Sequence, residues 1–458
     1  MAKIQDAISE LEHTFGDKLS QTQSIRDLHG QNETYFAAMP PDAVFFPETS
    51  EDVAAAVKIC AKHGCPIVPW GVGTSLEGHA LAVKGGVTFS FQNMASVIEI
   101  LPQDLSVRVQ PGVTREVLNQ ELRATGLFFP IDPGANATIG GMAATRASGT
   151  TAVRYGTMRE NILAMTVVMA DGCIIKTGTR AKKSSAGYDL NHLLIGSEGT
   201  LGIITELTLK LHGQPEAIGA AICAFPSVER AVNTTIQCIQ MGIPVARMEL
   251  VDAISMKCIN AYSKTDYPEE PHLFMEFHGT KASVTEQSQM VETIAQELGG
   301  NGFQWTTKPE ERTQLWSARH TAYWAIKAHW PERQGMSTDV CVPISQLAEA
   351  IAAAQKDVAA HGLPGPIVGH VGDGNYHVLL LSDPNQPSEL QVAKDIAARM
   401  AEHALQLGGT ITGEHGIGMG KMALLESEYG PSVQTMSAIK RALDPQNILN
   451  PGKIIRIN

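Results

Sequence analysis

Two glycine-rich segments in the second half of the chain contain the side chains best suited to bind a metal ion. His370 and His377 are separated by a glycine-rich turn, and Glu414 and His415 lie within the run Gly413–Gly418. Imidazole and carboxylate groups together are common ligands of Zn²⁺ and similar divalent ions, and three protein ligands leave a position open for a substrate. Each histidine could instead be an ordinary surface or core residue, and no spacing rule requires the two segments to meet.

Three further glycine clusters lie in the first half of the chain, in Pro69–Gly78, Asp132–Gly149 and Gly196–Gly202. Backbone N–H groups in a glycine-rich turn can surround an anionic phosphate. The first cluster is not a dinucleotide-binding fingerprint, because Leu76 stands where the third glycine is needed, so a plain tight turn is the alternative. The second cluster consists mainly of small residues, which let the backbone approach a neighbour closely. This pattern predicts backbone lying against a large planar group, and a close crossing of a helix and a strand is the alternative.

Helical and strand patterns alternate along the chain, which predicts a protein of mixed α and β structure. A helix is predicted over 50–64 with Ser50 as its N-cap. The dipeptide Asp171-Gly172 predicts a hairpin between 162–170 and 173–177, because this pair suits the positive φ angles of a two-residue turn. Beyond a predicted domain boundary near residues 212–215 the predicted helices and strands are longer. They include a helix over 309–328 and form a sheet whose helices pack on one side.

Composition excludes several classes of protein. Lys and Arg total 35 and Asp and Glu total 47, so the net charge of −12 argues against binding nucleic acid. No apolar run reaches the roughly 18–20 residues of a membrane-spanning helix. The N-terminus has neither the apolar core of a secretory signal nor the composition of a transit peptide, which predicts a cytoplasmic protein. Seven cysteines without a C-x-x-C pair predict reduced thiols.

The glycine clusters resemble, in order and spacing, the flavin-binding domain of the vanillyl-alcohol-oxidase family. The resemblance is carried by the loop Pro69–Ser75, Ile139-Gly140-Gly141, Tyr155-Gly156 and the run Gly196–Ile203. It implies an α+β fold, in which a two-subdomain FAD-binding domain of the p-cresol methylhydroxylase (PCMH) type is joined to a ferredoxin-like α+β substrate (cap) domain. Some relatives bind FAD covalently through a histidine in the first loop. Thr74 stands at about that position here, so non-covalent FAD is expected.

The same resemblance implies residues and boundaries for the cofactor domain. The residues assigned to FAD are Pro69, Trp70, Gly71, Val72, Gly73, Thr74, Ser75, Pro133, Thr138, Gly140, Gly141, Ala144, Thr145, Ser148, Gly149, Tyr155, Glu198, Gly199, Gly202, Ile204 and Asn450. The expected organisation is an N-terminal helical segment (1–37), the FAD-binding domain (38–215), the substrate or cap domain with the metal site (216–425), and a C-terminal segment (426–458) that returns to the FAD domain.

The second half resembles the C-terminal domain of the flavin-linked D-2-hydroxy-acid dehydrogenases, and among them the cytochrome- or quinone-linked enzymes that act on D-lactate. The matching segments are 315–320, 337–345, 370–377, 413–418 and 450–453. The resemblance implies that His370, His377 and Glu414 bind one divalent ion, Zn or Mn. It also implies that Arg319 pairs with the substrate carboxylate, that Asn375 and Tyr323 lie near the substrate, and that His415 is the catalytic base. Arg319 could otherwise be a helix-surface residue.

The implied reaction is oxidation of a D-2-hydroxy acid, with D-lactate converted to pyruvate. The hydroxyl group is deprotonated and a hydride passes to flavin N5. Glycolate and D-2-hydroxyglutarate are alternative substrates. Electrons would leave to an external acceptor such as a quinone, a cytochrome or an electron-transfer flavoprotein, because no haem or iron–sulfur motif occurs. A homodimer, and peripheral binding at the inner face of the membrane, are left open.

Two rival functions remain open, and the sequence departs from the family pattern in one segment. A metal-dependent hydrolase and a non-enzymatic binding subunit are the rivals. Relatives selective for diacids place additional cations after the Arg319 helix, where this chain has Tyr323, Trp324, His329 and Trp330. These aromatic residues favour a smaller acid, although Arg333 could still reach a second carboxylate.

Overall fold

The computed structural model describes residues 2–32 and 34–457, which form two compact units. The first unit contains the chain up to Ser148, Gly156–Gln214 and the chain from Glu414 onward. The second unit contains Gly149–Tyr155 and Pro215–Gly413.

These units differ from the predicted organisation in two places. The chain was predicted to return to the first unit at residue 426, whereas the compact units place that return at Glu414. The short segment Gly149–Tyr155, predicted within the FAD domain, groups with the second unit. Met1, Glu33 and Asn458 of the predicted terminal segments lie outside the described residues.

The first unit is built mainly from short strands and helices. It begins with α1 (Ala2–Phe15), β1 (Leu19–Ser20), α2 (Gln23–Leu28), β2 (Ala43–Phe45), α3 (Ser50–His63), β3 (Ile67–Trp70), β4 (Val87–Ser90), β5 (Val97–Leu101), β6 (Ser106–Val109), α4 (Arg115–Glu121), β7 (Leu127–Phe128) and α5 (Ile139–Thr145). After α6 (Ala152–Tyr155) of the second unit, it continues with α7 (Met158–Asn161), β8 (Ile162–Val168), β9 (Ile174–Lys176), α8 (Leu190–Leu194), β10 (Ile203–Lys210) and β11 (His212–Gly213).

Two sheets with separate cores organise this unit. A four-stranded sheet has the order β1-β2-β4-β3, and its last three strands are parallel. A five-stranded sheet has the order β5-β6-β10-β8-β9 and is antiparallel throughout. Val53 and Val57 of α3 pack in the core of the first sheet, whereas Leu207 and Leu209 of β10 lie in the core of the second. The predicted division into two subdomains is confirmed.

Helix α3 begins one residue away from its predicted cap. The Thr49 hydroxyl accepts a hydrogen bond from Asp52 N at 3.0 Å, so Thr49 is the N-cap and the prediction of Ser50 is wrong. Ser50 is the first helical residue, and its hydroxyl donates to Thr205 Oγ1 at 2.8 Å. Threonine and serine are both good N-caps, so adjacent Thr49 and Ser50 cannot be told apart by residue type. The bond between Ser50 and Thr205 depends on a residue 155 positions later, which a local pattern does not show.

The hairpin of β8 and β9 is antiparallel, as Asp171-Gly172 predicted. Gly172 has a φ angle of 77°, whereas Asp171 is not among the residues with positive φ. The Asp171 carboxylate instead accepts a hydrogen bond from Cys173 N at 2.8 Å. The assumption that both turn residues adopt positive φ is therefore wrong, and the aspartate stabilises the turn through its side chain.

The second unit has longer elements around one large sheet. They are β12 (Ala217–Ala224), α9 (Val228–Gln240), β13 (Val245–Val251), α10 (Ala253–Ser263), β14 (His272–Gly279), α11 (Lys281–Glu297), β15 (Asn301–Thr306), α12 (Pro309–His320), α13 (Ala322–His329), β16 (Gln334–Ser337), β17 (Val340–Cys341), α14 (Leu347–His361), β18 (Ile367–His370), β19 (Asn375–Ser382) and α15 (Pro387–Gln406). The chain then returns to the first unit with α16 (Met422–Tyr429) and α17 (Ser432–Leu443).

Strands β12 to β15 form a ferredoxin-like core, as the resemblance predicted. Their order in the sheet is β15-β12-β14-β13, which is the 4-1-3-2 order of two interlocked βαβ units. The sheet continues through β18, β19 and β16, with β17 also paired to β19. This extension carries the two histidines of the predicted metal site.

Helices cover both faces of this sheet, so the prediction of helices on one side is wrong. Ala220 and Ile222 of β12 lie in a cluster with residues of α10, α12 and α13. Gly219 points to the opposite face, where a Cβ atom would lie 2.6 Å from Val284 of α11. Strands that are buried on both faces are apolar at nearly every position. The hydrophobic pattern of such strands therefore does not show whether helices cover one face of the sheet or both.

The predicted helix over 309–328 is two helices, α12 and α13, that meet at Thr321. Thr321 has a ψ angle of −2°, and its hydroxyl donates to the Ser317 carbonyl at 2.8 Å. A threonine hydroxyl that bonds the carbonyl four residues earlier disturbs the helical geometry. No helix in residues 2–32 or 34–457 is long and apolar enough to cross a membrane.

Candidate active site

The first glycine cluster presents a row of backbone amides. None of the five N–H groups from Gly71 to Ser75 donates a hydrogen bond to any other described part of the chain. The loop lies beside the second cluster, because a Cβ atom on Gly71 would be 2.2 Å from Thr138 Oγ1. These available donors, with the exposed Thr74 side chain beside them, fit an anionic ligand such as a pyrophosphate.

The second and third glycine clusters are joined through backbone contacts. Glu198 N donates to Ala144 O at 2.8 Å, and Gly196 N donates to Ala143 O at 2.9 Å. Asn450 reaches the same place from the end of the chain, since its side-chain amide donates to Glu198 O at 2.7 Å. Segments widely separated in sequence therefore form one small-residue wall.

The Glu198 carboxylate fixes the segment that follows the predicted base. Its two oxygens accept hydrogen bonds from Ile417 N at 2.7 Å and Gly418 N at 2.9 Å. Glu198 is buried and has a φ angle of 53°. The assignment of Glu198 to FAD stays a prediction, and its carboxylate holds the chain just after His415.

The remaining residues assigned to FAD lie in varied surroundings. In the first unit the buried ones are Trp70, Gly140, Gly199, Gly202 and Ile204, and the half-buried ones are Pro69, Gly73, Ser75, Pro133 and Ser148. Val72 is 44% exposed. The second unit contains the other two, Gly149 and Tyr155. The Tyr155 hydroxyl lies 2.7 Å from His278 Nδ1.

In the second unit, the hairpin of β18 and β19 brings His370 and His377 together. His370 pairs with Asn375 and Val368 pairs with His377, so all four side chains project from one face of the sheet. The two imidazole rings have their centroids 5.4 Å apart. The seven-residue spacing noted in the sequence thus becomes a diagonal pair across a hairpin.

Hydrogen bonds fix both histidines in the same tautomer. His370 Nδ1 lies 2.8 and 2.9 Å from the two carboxylate oxygens of Glu249. His377 Nδ1 lies 2.9 Å from the Thr338 carbonyl oxygen. Each Nδ1 therefore carries the proton, so Nε2 is the ring nitrogen whose lone pair a metal ion would bind.

Two of the three ligands that the resemblance implied, His370 and His377, lie on one face of the second unit. The third, Glu414, begins the segment that returns to the first unit. Two imidazoles and one carboxylate are an ordinary ligand set for Zn²⁺ or a similar divalent ion. The donor chemistry therefore fits such an ion.

Glu249 is a functional residue that the sequence reading missed. It is fully buried on β13, and besides His370 it accepts a hydrogen bond from Arg319 at 2.7 Å. Burial raises the pKa of this carboxyl, but the charges of His370 and Arg319 outweigh burial and leave the pKa below its ordinary value. The ionised carboxylate holds a predicted metal ligand and the predicted substrate arginine in one network.

Arg319 and Asn375 each present a buried polar atom without a hydrogen-bond partner in the described chain, Nε of Arg319 and Oδ1 of Asn375. The Asn375 amide nitrogen donates to Asp339 Oδ1 at 2.8 Å and to Val340 O at 2.9 Å, which turns Oδ1 the other way. A buried polar atom left unpaired is costly unless a ligand satisfies it. One donor and one acceptor of this kind suit a small hydroxy acid.

Tyr323 and Arg333 are two other residues that the sequence analysis considered as substrate contacts. Tyr323 is 40% exposed on α13 and makes an edge contact with Trp324. Arg333, which the sequence left available for a second carboxylate, binds Glu389 at 2.8 Å and Leu381 O at 2.9 Å. The side chain of Arg333 is thus held by its own unit.

Gly413 allows the chain to pass close to Asn375, and we expect Gly413→Ala to disturb the site. An added Cβ would lie 2.1 Å from Asn375 Nδ2, so the amide must move or the chain must shift. Overpacking of this kind costs about 1–3 kcal/mol of unfolding free energy. Thermal unfolding of the variant measures the loss.

The matched control for that variant is Gly213→Ala, because a Cβ there meets nothing within 4 Å. An unchanged melting temperature for Gly413→Ala, equal to that of Gly213→Ala, would contradict the close approach of Gly413 to Asn375.

Comparison with known families decides the class of this protein. Residues 41–178 match the model of an FAD binding domain, and residues 214–454 match the model described as FAD linked oxidases, C-terminal domain. The chain belongs to the FAD-linked oxidases. The predicted flavoprotein fold and oxidoreductase class are confirmed, and the family favours them over the hydrolase and the binding subunit.

Similar proteins match this chain over nine-tenths of its length or more. It is 47% identical to a probable mitochondrial D-lactate dehydrogenase of Danio rerio, over 100% of this chain and 93% of that protein. It is 44% identical to the mitochondrial D-lactate dehydrogenase [cytochrome] of Arabidopsis thaliana, over 98% and 80%. The glycolate oxidase subunit GlcD of Bacillus subtilis is 34% identical, over 90% and 89%. The predicted resemblance is confirmed.

Solved structures support the fold. The oxidase is similar to p-cresol methylhydroxylase with a TM-score of 0.81, at 19% identity over 99% of this chain and 97% of that one. At this identity the likeness extends to the fold, and it confirms the predicted PCMH type.

The residues that sequence reasoning missed did leave signals. Arg247 and Glu249 are charged residues at alternate positions of the otherwise apolar strand Val245–Val251, a pattern that predicts charges on a buried face. Asp339 lay within a segment that matched the family but had no role assigned to it. No local pattern connects Asp339 with its hydrogen-bond partner Asn375, which lies 36 residues away in the sequence.

Proposed function

We propose that this oxidase catalyses the FAD-dependent oxidation of a D-2-hydroxy acid, with D-lactate converted to pyruvate, and that it requires one divalent metal ion. The observation that carries the proposal is the placement of His370 and His377 on one face of the hairpin of β18 and β19, where the buried Glu249 contacts both His370 and Arg319. The D-lactate dehydrogenases among its relatives support the choice of substrate.

Each residue has a separate task in this proposal. His370, His377 and Glu414 hold the ion, Zn²⁺ or Mn²⁺. Arg319 offers its unpaired Nε to the substrate carboxylate and Asn375 offers Oδ1 to a donor of the substrate. His415 takes the hydroxyl proton, because an imidazole can accept a proton at neutral pH.

The two cofactors supply what side chains do not. Non-covalent FAD would bind along the amides of Gly71–Ser75 and the wall of α5 and accept two electrons, while the ion would lower the pKa of the substrate hydroxyl. The protein's contribution is orientation: the Glu249 network holds Arg319 and His370 in fixed positions.

Glycolate is the second candidate substrate, favoured by the GlcD relative. An external electron acceptor is supported by the relatives named as cytochrome-linked. The choice among quinone, cytochrome and electron-transfer flavoprotein stays a prediction, as do the homodimer and the cytoplasmic location.

Glu249→Gln is expected to weaken the metal site by about 10- to 100-fold in affinity, which is the usual effect of losing a carboxylate behind a histidine ligand. The amide cannot supply the negative charge that both His370 and Arg319 bind. Competition with a chromophoric chelator measures the affinity. Glu286→Gln, which removes an exposed glutamate of α11, is the charge-matched control. Equal metal affinity in both variants would contradict the role of Glu249.

The proposal as a whole is tested by comparing kcat/KM for D-lactate, L-lactate, glycolate and D-2-hydroxyglutarate with an artificial electron acceptor. We expect D-lactate to give the highest value. A higher value for glycolate would transfer the proposal to the second candidate, and no turnover with any of the four acids would refute it.

A further inference from the structure

A buried lysine near the end of the chain, Lys453, has no task in the function proposed above. The residue is 2% exposed, and its ammonium group donates to Leu81 O at 2.7 Å and to Asn450 Oδ1 at 3.4 Å. No carboxylate in residues 2–32 or 34–457 forms an ion pair with it, and Glu198 acts on it only through its charge. A lysine is almost never fully buried unless it is paired. The ammonium group is therefore suited to an anion that the chain itself does not supply.

A second buried lysine, Lys440 of α17, is paired within the chain. Its ammonium group donates to Thr200 O and Leu449 O, both at 2.8 Å, and to the Asp444 carboxylate at 2.5 Å. These bonds use all three hydrogens of the ammonium group, and the carboxylate neutralises its charge. Lys453 makes two bonds, of which the second is long, and no described carboxylate neutralises it.

Lys453 lies where two of the glycine clusters meet. Its acceptor Leu81 follows the first cluster closely in sequence. Its other acceptor, Asn450, donates to His79 O at 3.0 Å and to Glu198 O at 2.7 Å, and Glu198 belongs to the third cluster. All five residues belong to the first unit. The lysine therefore lies beside backbone segments of the predicted FAD site.

Burial makes the positive charge of Lys453 costly. It lowers the pKa of the ammonium group to about 8, although the charge of Glu198 acts in the opposite direction. In the unfolded chain the pKa returns to its higher, ordinary value. At neutral pH the charge of Lys453 therefore lowers the stability of the fold, and this effect disappears as the pH rises from about 8 towards that ordinary value. A bound anion removes the penalty by pairing with the ammonium group.

We propose that Lys453 is a cofactor-binding residue, whose ammonium group pairs with a negative charge of FAD. Two parts of FAD carry such a charge: the pyrophosphate in both oxidation states, and the flavin ring when it is reduced. The inference rests on the proposed function only in requiring that the chain binds FAD. It adds Lys453 to the residues that the resemblance assigned to the cofactor, of which Asn450 is its neighbour.

The test measures the affinity for FAD and the midpoint potential of the bound flavin, with the full chain, at two pH values. Lys453→Gln keeps a polar donor but carries no charge. At about pH 7 we expect its dissociation constant for FAD to rise about tenfold or more if the pyrophosphate is the partner, or its midpoint potential to fall if the reduced ring is. At about pH 9.5 the difference from the unaltered protein should shrink, because Lys453 itself is then losing its charge.

The charge-matched control is Lys84→Gln, which removes an exposed lysine and should equal the unaltered protein at both pH values. Either of two results would overturn the inference. One is a dissociation constant and a midpoint potential that are both unchanged in Lys453→Gln. The other is a difference as large at the higher pH as at neutral pH, which would show damage to packing rather than loss of charge.

If Lys453→Gln does not fold, Lys453→Arg provides a second test, because arginine keeps its charge at the higher pH. There it should bind FAD more tightly than the unaltered protein, or give a higher midpoint potential, and equality in both quantities would also overturn the inference. Failure of the proposed function would be seen separately, as a chain that binds no FAD.

Discussion

Replacing His415 with alanine should lower kcat for D-lactate by about 10³-fold, within the 10²- to 10⁴-fold range of a lost general base, while the flavin stays bound. The hydroxyl proton would then have no acceptor at the substrate. Steady-state rates with an artificial acceptor measure kcat, and the visible absorbance of the purified protein measures the flavin.

The control for His415→Ala is His361→Ala, which removes an exposed histidine at the end of α14. It should leave kcat and flavin content unchanged. Added imidazole should restore part of the activity of His415→Ala, because a small base can enter the space of the lost side chain. A kcat near that of the unaltered protein would show that His415 is not the base.

Removing the divalent ion should lower kcat by about 10²-fold or more, because a metal ion contributes several kcal/mol by stabilising the charge that develops on the substrate oxygen. Dialysis against a strong chelator removes the ion, elemental analysis verifies its loss, and addition of Mn²⁺ or Zn²⁺ should restore the rate. The flavin absorbance should stay constant throughout.

His377→Ala separates this effect from damage by the chelator. The variant lacks one proposed ligand, so added Mn²⁺ or Zn²⁺ should restore little activity to it. Full activity after verified removal of the ion would contradict the metal's role in the reaction, and full activity of His377→Ala would contradict the ligand assignment.

Much of the fold could be predicted from the sequence because its signals are local. The apolar stripe Val53, Val57 and Cys60 gave helix α3, and Asp171-Gly172 gave the hairpin of β8 and β9. The errors arose where a distant or competing contact decides. Thr49 rather than Ser50 caps α3, and the Thr321 hydroxyl divides a helix that the pattern made continuous.

In the candidate site, too, residues with a distinctive local pattern could be named from the sequence, whereas those defined by a distant partner could not. His370, His377 and Glu414 were singled out because their residue types and glycine-rich surroundings are distinctive, and their assignment to one ion stays a prediction that the resemblance implies. Glu249 could not be singled out, because an acid in an apolar strand does not name its partner. His370 is 121 residues further along the chain, and only the register of β13 beside β18 brings the two together.

The Glu198 carboxylate shows a limit of reasoning from a resemblance. Glu198 lies in the wall formed by the second and third glycine clusters, and its assignment to FAD stays a prediction. The hydrogen bonds that its carboxylate accepts from Ile417 N and Gly418 N depend on the segment that follows His415. A residue can therefore match a motif while its side chain serves a different contact.

The most direct test of the central claim is anaerobic mixing of the FAD-loaded protein with D-lactate or L-lactate, followed by flavin absorbance. The account predicts rapid bleaching with D-lactate, slow or no bleaching with L-lactate, and formation of pyruvate equal to the flavin reduced. A protein that does not bind FAD, or whose flavin is not bleached by D-lactate, would contradict it.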